Sequence, residues 1–222
     1  MTSRGSRAAV FFDLDGTLLD TNYLHTFAWW KALDGAGERR PMAEIHRLIG
    51  MGGSELLTTL LGSDAPDISA AHGDYFAELH PFISALPGAS ELVNQVSSRG
   101  AMVVMVTSAK ERDLPALLGA LDGRDRIADV IGGEDADRAK PHPDLFSIAL
   151  EKSGLAASSV LALGDAVWDV QAAARAGIGC VAVKTGGFCD SELRDAGALA
   201  VYQSCADLLA QWSDSPLAHY LD

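Results

Sequence analysis

Residues 11–20 read Phe11-Phe12-Asp13-Leu14-Asp15-Gly16-Thr17-Leu18-Leu19-Asp20. An apolar run ending in Phe12 reads as a strand, and alternation along it points Asp13 and Asp15 the same way. Gly16 signals that the chain is already turning, so two carboxylates crowd the end of one strand. A lone DxD is a common turn. DxDGT is more specific: at roughly 5 to 7% usage per residue type, its chance occurrence in a chain of this length is on the order of a few in a thousand.

Outward from this stretch, four short apolar runs read as strands buried on both faces of a parallel sheet: 8–12, 102–106, 160–163 and 180–183. Helical patterns at 90–99, 112–121, 143–153 and 168–176 lie between them. Gly100 and Gly177 follow the first and last of these, where a left-handed cap is expected. The alternation predicts a doubly wound, Rossmann-like α/β fold. From about residue 20 to 86 the alternation stops, and helical spacing takes over at 23–33, 42–49, 55–61 and 68–80. This predicts a small all-helical cap domain (19–86) inserted after the first strand into a core made of 1–18 and 87–222. It should sit over the carboxyl ends of the strands, where open α/β sheets bind ligands.

Three further groups fall at that edge. Thr107 and Ser108 end the second strand, where a hydroxyl and the free amides of the next turn can hold a phosphate oxygen. Lys140, in Lys140-Pro141-His142-Pro143-Asp144, precedes a helix opened by proline. Asp165 directly follows the 160–163 strand, and Asp169 lies four residues on. Alone, each has a plain structural explanation as a helix cap or a solvated charge. Together they place acid pair, hydroxyl, lysine and acid pair on different strand ends of one sheet.

The bulk composition narrows the classes. With 222 residues, 48% hydrophobic, the chain can bury a substantial core. The 30 acidic and 17 basic residues give a formal charge of −13, which would repel nucleic acid and anionic membranes. An anionic substrate would then need a local cation. No segment reaches the roughly 18 to 20 apolar residues of a membrane span. Residues 1–7 look like a loose polar terminus with no signal-peptide pattern, which predicts a cytoplasmic protein. Three cysteines without CxxC spacing predict reduced thiols. Nothing in the pattern sets an oligomeric state.

The order of these motifs resembles the haloacid dehalogenase superfamily from Val10 to about Gly187. The helical insertion, with His25 near its start, is similar to the cap of the phosphoglycolate phosphatase and β-phosphoglucomutase branch. That resemblance implies a Mg²⁺-dependent phosphatase acting on a small phosphorylated metabolite. Asp13 would be the nucleophile and Asp15 the general acid and base. Thr107, Ser108 and Lys140 would hold the phosphoryl group, with His25, Gly52 and Gly53 toward the substrate. Asp13, Asp15 and Asp165 would hold the metal, with Asp169 completing that set as its support. Ala166 departs from relatives that carry serine there.

A carboxylate at Asp15 argues against halide release, which needs no proton donor. A β-phosphoglucomutase-like phosphomutase is the alternative. The cap loop reads Ile49-Gly50-Met51-Gly52-Gly53-Ser54, however, and Gly53 aligns with the arginine that grips the second phosphate in those mutases. A non-catalytic metabolite-binding protein would leave five motif side chains unexplained. Arg39, Arg40 and Arg47, the arginines of the helical insertion, are candidates to meet a substrate carboxylate or a second phosphate, against the plainer reading of solvated helix charges.

Overall fold

The computed structural model describes residues 8–221; residues 1–7 lie outside the described residues. Six strands, β1 (Ala9–Phe12), β2 (Met102–Val106), β3 (Ile127–Ile131), β4 (Val160–Gly164), β5 (Gly179–Val183) and β6 (Ala200–Tyr202), form one parallel sheet. Their order is β3-β2-β1-β4-β5-β6. The chain winds outward from β1 through β2 to β3, then returns to place β4 on the other flank of β1. The crevice between the ends of β1 and β4 is therefore a topological switch point. Asp13 N–H donates to Leu163 O at 2.9 Å, which carries the β1–β4 ladder one residue past Phe12 and fixes where Asp13 emerges.

Period-two alternation divides the strands between two apolar layers. Val10, Phe12, Val103, Met105, Leu161 and Leu163 face one layer. Ala9, Phe11, Val104, Val106 and Ala162 face the other. The first layer is closed by α5 (Ala89–Ser98), α6 (Leu114–Gly119), α10 (Cys205–Ala210) and α11 (Pro216–Leu221). The second is closed by α7 (Asp144–Ser153), α8 (Val167–Arg175) and α9 (Asp190–Asp195). Phe11 and Phe12 are both completely buried, a contribution of about 2–3 kcal/mol each in apolar transfer.

Between β1 and α5 lie α1 (Asn22–Gly35), α2 (Met42–His46), α3 (Gly53–Leu61) and α4 (Pro66–Leu79). They enclose their own apolar cluster of Trp29, Leu33, Ile45, Leu56, Leu57 and Ile68. The two chain segments that lead into and out of these helices run side by side. Asp20 N–H donates to Ser84 O at 2.9 Å and Leu86 N–H to Leu18 O at 2.8 Å.

Gly100 and Gly177 take φ of +79° and +76°, the left-handed conformation expected of them. Two strands escaped the sequence pattern, β3 and β6. Both are edge strands, the one largely half-exposed and the other three residues long, so neither reads as a continuous apolar run. Helix α6 is shorter than the pattern at 112–121 because Pro115 lacks a backbone N–H and belongs in a first turn. Cys180, Cys189 and Cys205 are free thiols. No described helix is long and apolar enough to cross a membrane.

Candidate active site

Asp13, Thr107 and Asp165 each follow directly on a strand (β1, β2 and β4), and Lys140 comes from the loop before α7. All four are buried. Lys140 is completely enclosed. Its Nζ lies 2.5 Å from Asp13 Oδ1, 2.8 Å from Asp169 Oδ1 and 2.7 Å from the carbonyl oxygen of Val106. The other oxygen of Asp169 accepts from Ala166 N–H at 3.1 Å. Both of its oxygens are thereby committed to the lysine and to the start of α8. Thr107 Oγ1 accepts from Ala109 N–H at 3.0 Å, and Ser108 Oγ donates to Gly50 O at 3.4 Å.

Asp15 faces the helical segment. Its Oδ1 accepts from Thr21 Oγ1 at 2.7 Å and lies 3.2 Å from His25 Nε2. His25 Nδ1 is in turn 3.2 Å from His72 Nε2, and the His72 ring stacks on Trp29 at 3.9 Å. Burial would raise the Asp15 carboxyl, but the charge of His25 and the hydrogen bonds from His25 and Thr21 outweigh it and hold it low. Burial, with His25, Lys110 and Arg112 nearby, holds His72 well below its ordinary range.

Three carboxylates, Asp13, Asp165 and Asp169, bring one oxygen each within 4.8 Å of one another. Burial pushes Asp13 well above the usual carboxylate range against the pull of Lys140, and Asp169, Asp165 and Asp15 push the same way. Asp165 is pushed up to about 7 by burial and by Asp169, against Thr17, Asn22 and Lys140. Burial works against the Lys140 ammonium, but Asp13 and Asp169 outweigh it and hold its pKa above the ordinary value. One ammonium thus faces more buried anionic charge than it can neutralise. An all-oxygen donor set with excess negative charge fits a hard divalent cation and does not suit zinc. The surroundings fit as well. Gly16, at φ +81°, and Gly186 lie so close to Asp165 that a Cβ on either would meet its Oδ2 at 2.3 and 2.0 Å. Asn22 Oδ1 is buried without a hydrogen-bond partner beside the same carboxylate.

Several contributors carried no role in the sequence reading. Thr17 Oγ1 sits 2.7 Å from Asp165 Oδ1 and 3.2 Å from Asp13 Oδ2, and Asn22 Nδ2 donates to Asp165 Oδ2 at 3.0 Å. Thr17 belongs to the DxDGT stretch, so its position was the available signal. His72 and Lys110 had none. They reach the site only because α4 and the loop after β2 converge on it.

The site opens into a cavity of about 70 Å³, lined by Asp13, Asp15, Thr107, Ser108 and Lys110 on the sheet side. His25, Trp29, Met51, Gly53, Ser69 and His72 line it from the helices. Lys110 Nζ donates to Ser69 Oγ at 3.1 Å, and among the described residues it forms no ion pair. Gly52 does not line the cavity; it packs on Ala139, where a Cβ would come within 2.3 Å of that residue's own Cβ. The three cap arginines are also elsewhere. Arg39 pairs with Asp34, Arg40 with Glu38 and the Leu60 carbonyl, and Arg47 with Glu192. Of the two readings open to them, a substrate contact or a solvated surface charge, the structure fits the second, and among the described residues Lys110 is the lysine or arginine that lines the cavity.

Residues 8–177 match the haloacid dehalogenase-like hydrolase family. The chain belongs to that family. The phosphoglycolate phosphatase of Rhodospirillum rubrum is 31% identical over 94% of this chain and 91% of its own. The crystal structure of a hydrolase from Pseudomonas syringae superposes with a TM-score of 0.87 at 36% identity, covering 94% of this chain and 98% of that one. CbbY from Rhodobacter sphaeroides, solved as a variant with xylulose-1,5-bisphosphate, superposes with a TM-score of 0.76 at 26% identity, covering 91% and 96%. As a haloacid dehalogenase-like hydrolase with phosphatase relatives, this chain is a phosphatase.

Proposed function

We propose that this phosphatase hydrolyses a small phosphorylated carboxylate, 2-phosphoglycolate or a close analogue, through an aspartyl phosphate on Asp13, with Mg²⁺ as cofactor. The observation that carries the substrate class is the cavity beside Asp13. At about 70 Å³ it is far below the roughly 300–1,000 Å³ of sites for drug-sized ligands, and Lys110 at its wall forms no ion pair among the described residues. A leaving group of two or three carbons with an anionic end suits that space.

The chemistry follows from the side chains. The substrate's negative charge raises the Asp15 carboxyl from its low value in the free protein so that it enters the step protonated; Asp13 attacks phosphorus through a carboxylate oxygen, the ester P–O bond breaks, and Asp15 gives that proton to the departing alkoxide. Asp15 then takes a proton from the water that cleaves the acyl phosphate, restoring Asp13 and releasing phosphate. Lys140, Thr107 and Ser108 hold the transferring group, and Thr17 keeps Asp13 and Asp165 in register. Asp13, Asp165 and the backbone carbonyl of Asp15 would hold Mg²⁺, which when bound would supply positive charge against the anionic substrate. Asp169 supports this set by holding Lys140.

The helical segment 19–86 acts in this reading as a cap, hinging near residues 18–21 and 85–88 to exclude bulk water. His25 and Gly53 then meet the substrate, while Gly52 seats the loop. Lys110 gives the phosphomutase alternative a second-anion grip that Gly53 does not provide, but the cavity is small for a hexose bisphosphate. The test is a phosphate-release screen over 2-phosphoglycolate, sugar phosphates, nucleotides and phosphoamino acids with Mg²⁺. In parallel, β-glucose 1-phosphate with catalytic glucose 1,6-bisphosphate is followed for both products. Rapid glucose 6-phosphate formation without phosphate release would replace the phosphatase by a mutase.

A further inference from the structure

Lys140 needs its backbone held as firmly as its ammonium. Its Nζ is the end of a long side chain locked on three acceptors, so a shift of the peptide at 140 moves the charge off Asp13. That peptide lies in a loop, after a short helical turn ending at Asp135 and before α7. Two contacts from the helical segment grip it on either side. Glu55 Oε1, in the first turn of α3, accepts from Ala139 N–H at 3.0 Å. Gly52 N–H donates to Lys140 O at 3.4 Å. The approach is close enough that a Cβ on Gly52 would lie 2.3 Å from Ala139 Cβ and 2.4 Å from Glu55 Oε2.

Building on the phosphatase reading above, we propose that Glu55 is a positioning residue that couples seating of the cap loop to the alignment of Lys140. An acid in the first turn of a helix is ordinarily explained by the helix dipole, which needs only charge. Glu55 does more than that explanation requires. It reaches out of its own helix to the amide that precedes the catalytic lysine, 84 residues further along the chain. A carboxylate on a backbone N–H is among the stronger hydrogen bonds, and it is made only when the loop at 49–53 is down on the core.

Two variants separate reach from charge. Glu55→Gln keeps the acceptor oxygen at the same length and loses the charge; Glu55→Asp keeps the charge and is one methylene too short. Kinetics with p-nitrophenyl phosphate and 2-phosphoglycolate are measured alongside hydrogen exchange of the 136–143 segment. Glu55→Gln should stay within about threefold of wild type in kcat, whereas Glu55→Asp should lose about 10- to 100-fold in kcat with KM little changed. Exchange at Ala139 should accelerate at least about tenfold in Glu55→Asp alone. The reverse order of the two variants, or unchanged exchange in Glu55→Asp, would overturn the proposal. Faster exchange with unaltered kcat would equally refute a positioning role. A wild-type protein that releases no phosphate would instead refute the phosphatase reading, while the exchange comparison still tests the contact.

Discussion

Replacing Lys140 by methionine tests the electrostatic core of the site. The side chain is fully enclosed, and methionine fills much of its volume, so the perturbation removes charge rather than packing. It strips the ion pairs at 2.5 and 2.8 Å from Asp13 and Asp169 and leaves the Val106 carbonyl without its donor. Breaking a buried pair from one side costs about 3–5 kcal/mol. Part is recovered because the Asp13 carboxyl, already well above its usual range, takes up a proton instead of remaining a bare charge. A net loss of about 2–4 kcal/mol remains, and at roughly 2–4 °C per kcal/mol for a chain of this size the melting midpoint should fall by about 5–15 °C.

Scanning calorimetry with EDTA gives that number. In Mg²⁺ the deficit should shrink, because the added cation offsets the same carboxylates. Phosphate release should drop by at least about 10³-fold under both conditions, since the charge facing the transferring group is gone. Lys140→Arg should also fail, because a planar fork cannot meet three acceptors arranged around one ammonium. A midpoint within about 2 °C of wild type together with kcat within threefold would show that Asp13 and Asp169 do not depend on this lysine.

Asp13→Asn should lower kcat by at least ~10⁴-fold while preserving the fold by circular dichroism, and near-normal turnover would end the covalent mechanism. Asp165 is raised to about 7, so the metal-free folded protein holds a proton that the unfolded chain releases near pH 4. Its stability should therefore fall as pH rises through about 4 to 7. Mg²⁺ must displace that proton, so its thermal stabilisation should be small at pH 5.5 and larger at pH 8; a pH-independent effect would remove Asp165 from the metal site. Calcium should support little turnover, because its longer, more numerous bonds would let Asp13 coordinate through both oxygens. Lys110→Ala should raise KM for 2-phosphoglycolate about 10- to 100-fold and leave p-nitrophenyl phosphate nearly unaffected, as expected for loss of one charged contact to the leaving group. Equal effects on both esters would relocate Lys110 to the reacting phosphate.

Local chemistry decides the part of this protein that is legible in one dimension. The apolar runs of β1, β2, β4 and β5 are buried on both faces, so their composition alone marks them as sheet interior. Asp13, Asp15, Thr107, Lys140 and Asp165 are each ordinary at a strand end or before a helix, and they become legible through their order along the chain, which brings them to one edge of the sheet. The edge strands β3 and β6 are not legible in this way, since a strand paired on one side needs no continuous apolar run.

The far wall of the cavity depends wholly on tertiary packing. Lys110 and His72 are 38 positions apart and on different layers, and their local sequence resembles any amphipathic surface. Arg39, Arg40 and Arg47 have the right charge for an anionic substrate, yet they lie in the loop before α2 and just after its end, and their side chains reach carboxylates and a carbonyl away from the cavity. Which cation faces the substrate is set by the orientation of α1 to α4 over the sheet. That orientation comes from Ala28 and Phe76, which the helices bury in the apolar layer on the sheet while Trp29, Leu33, Leu56 and Leu57 pack the helices together, a property of the assembled chain that no single stretch of sequence contains.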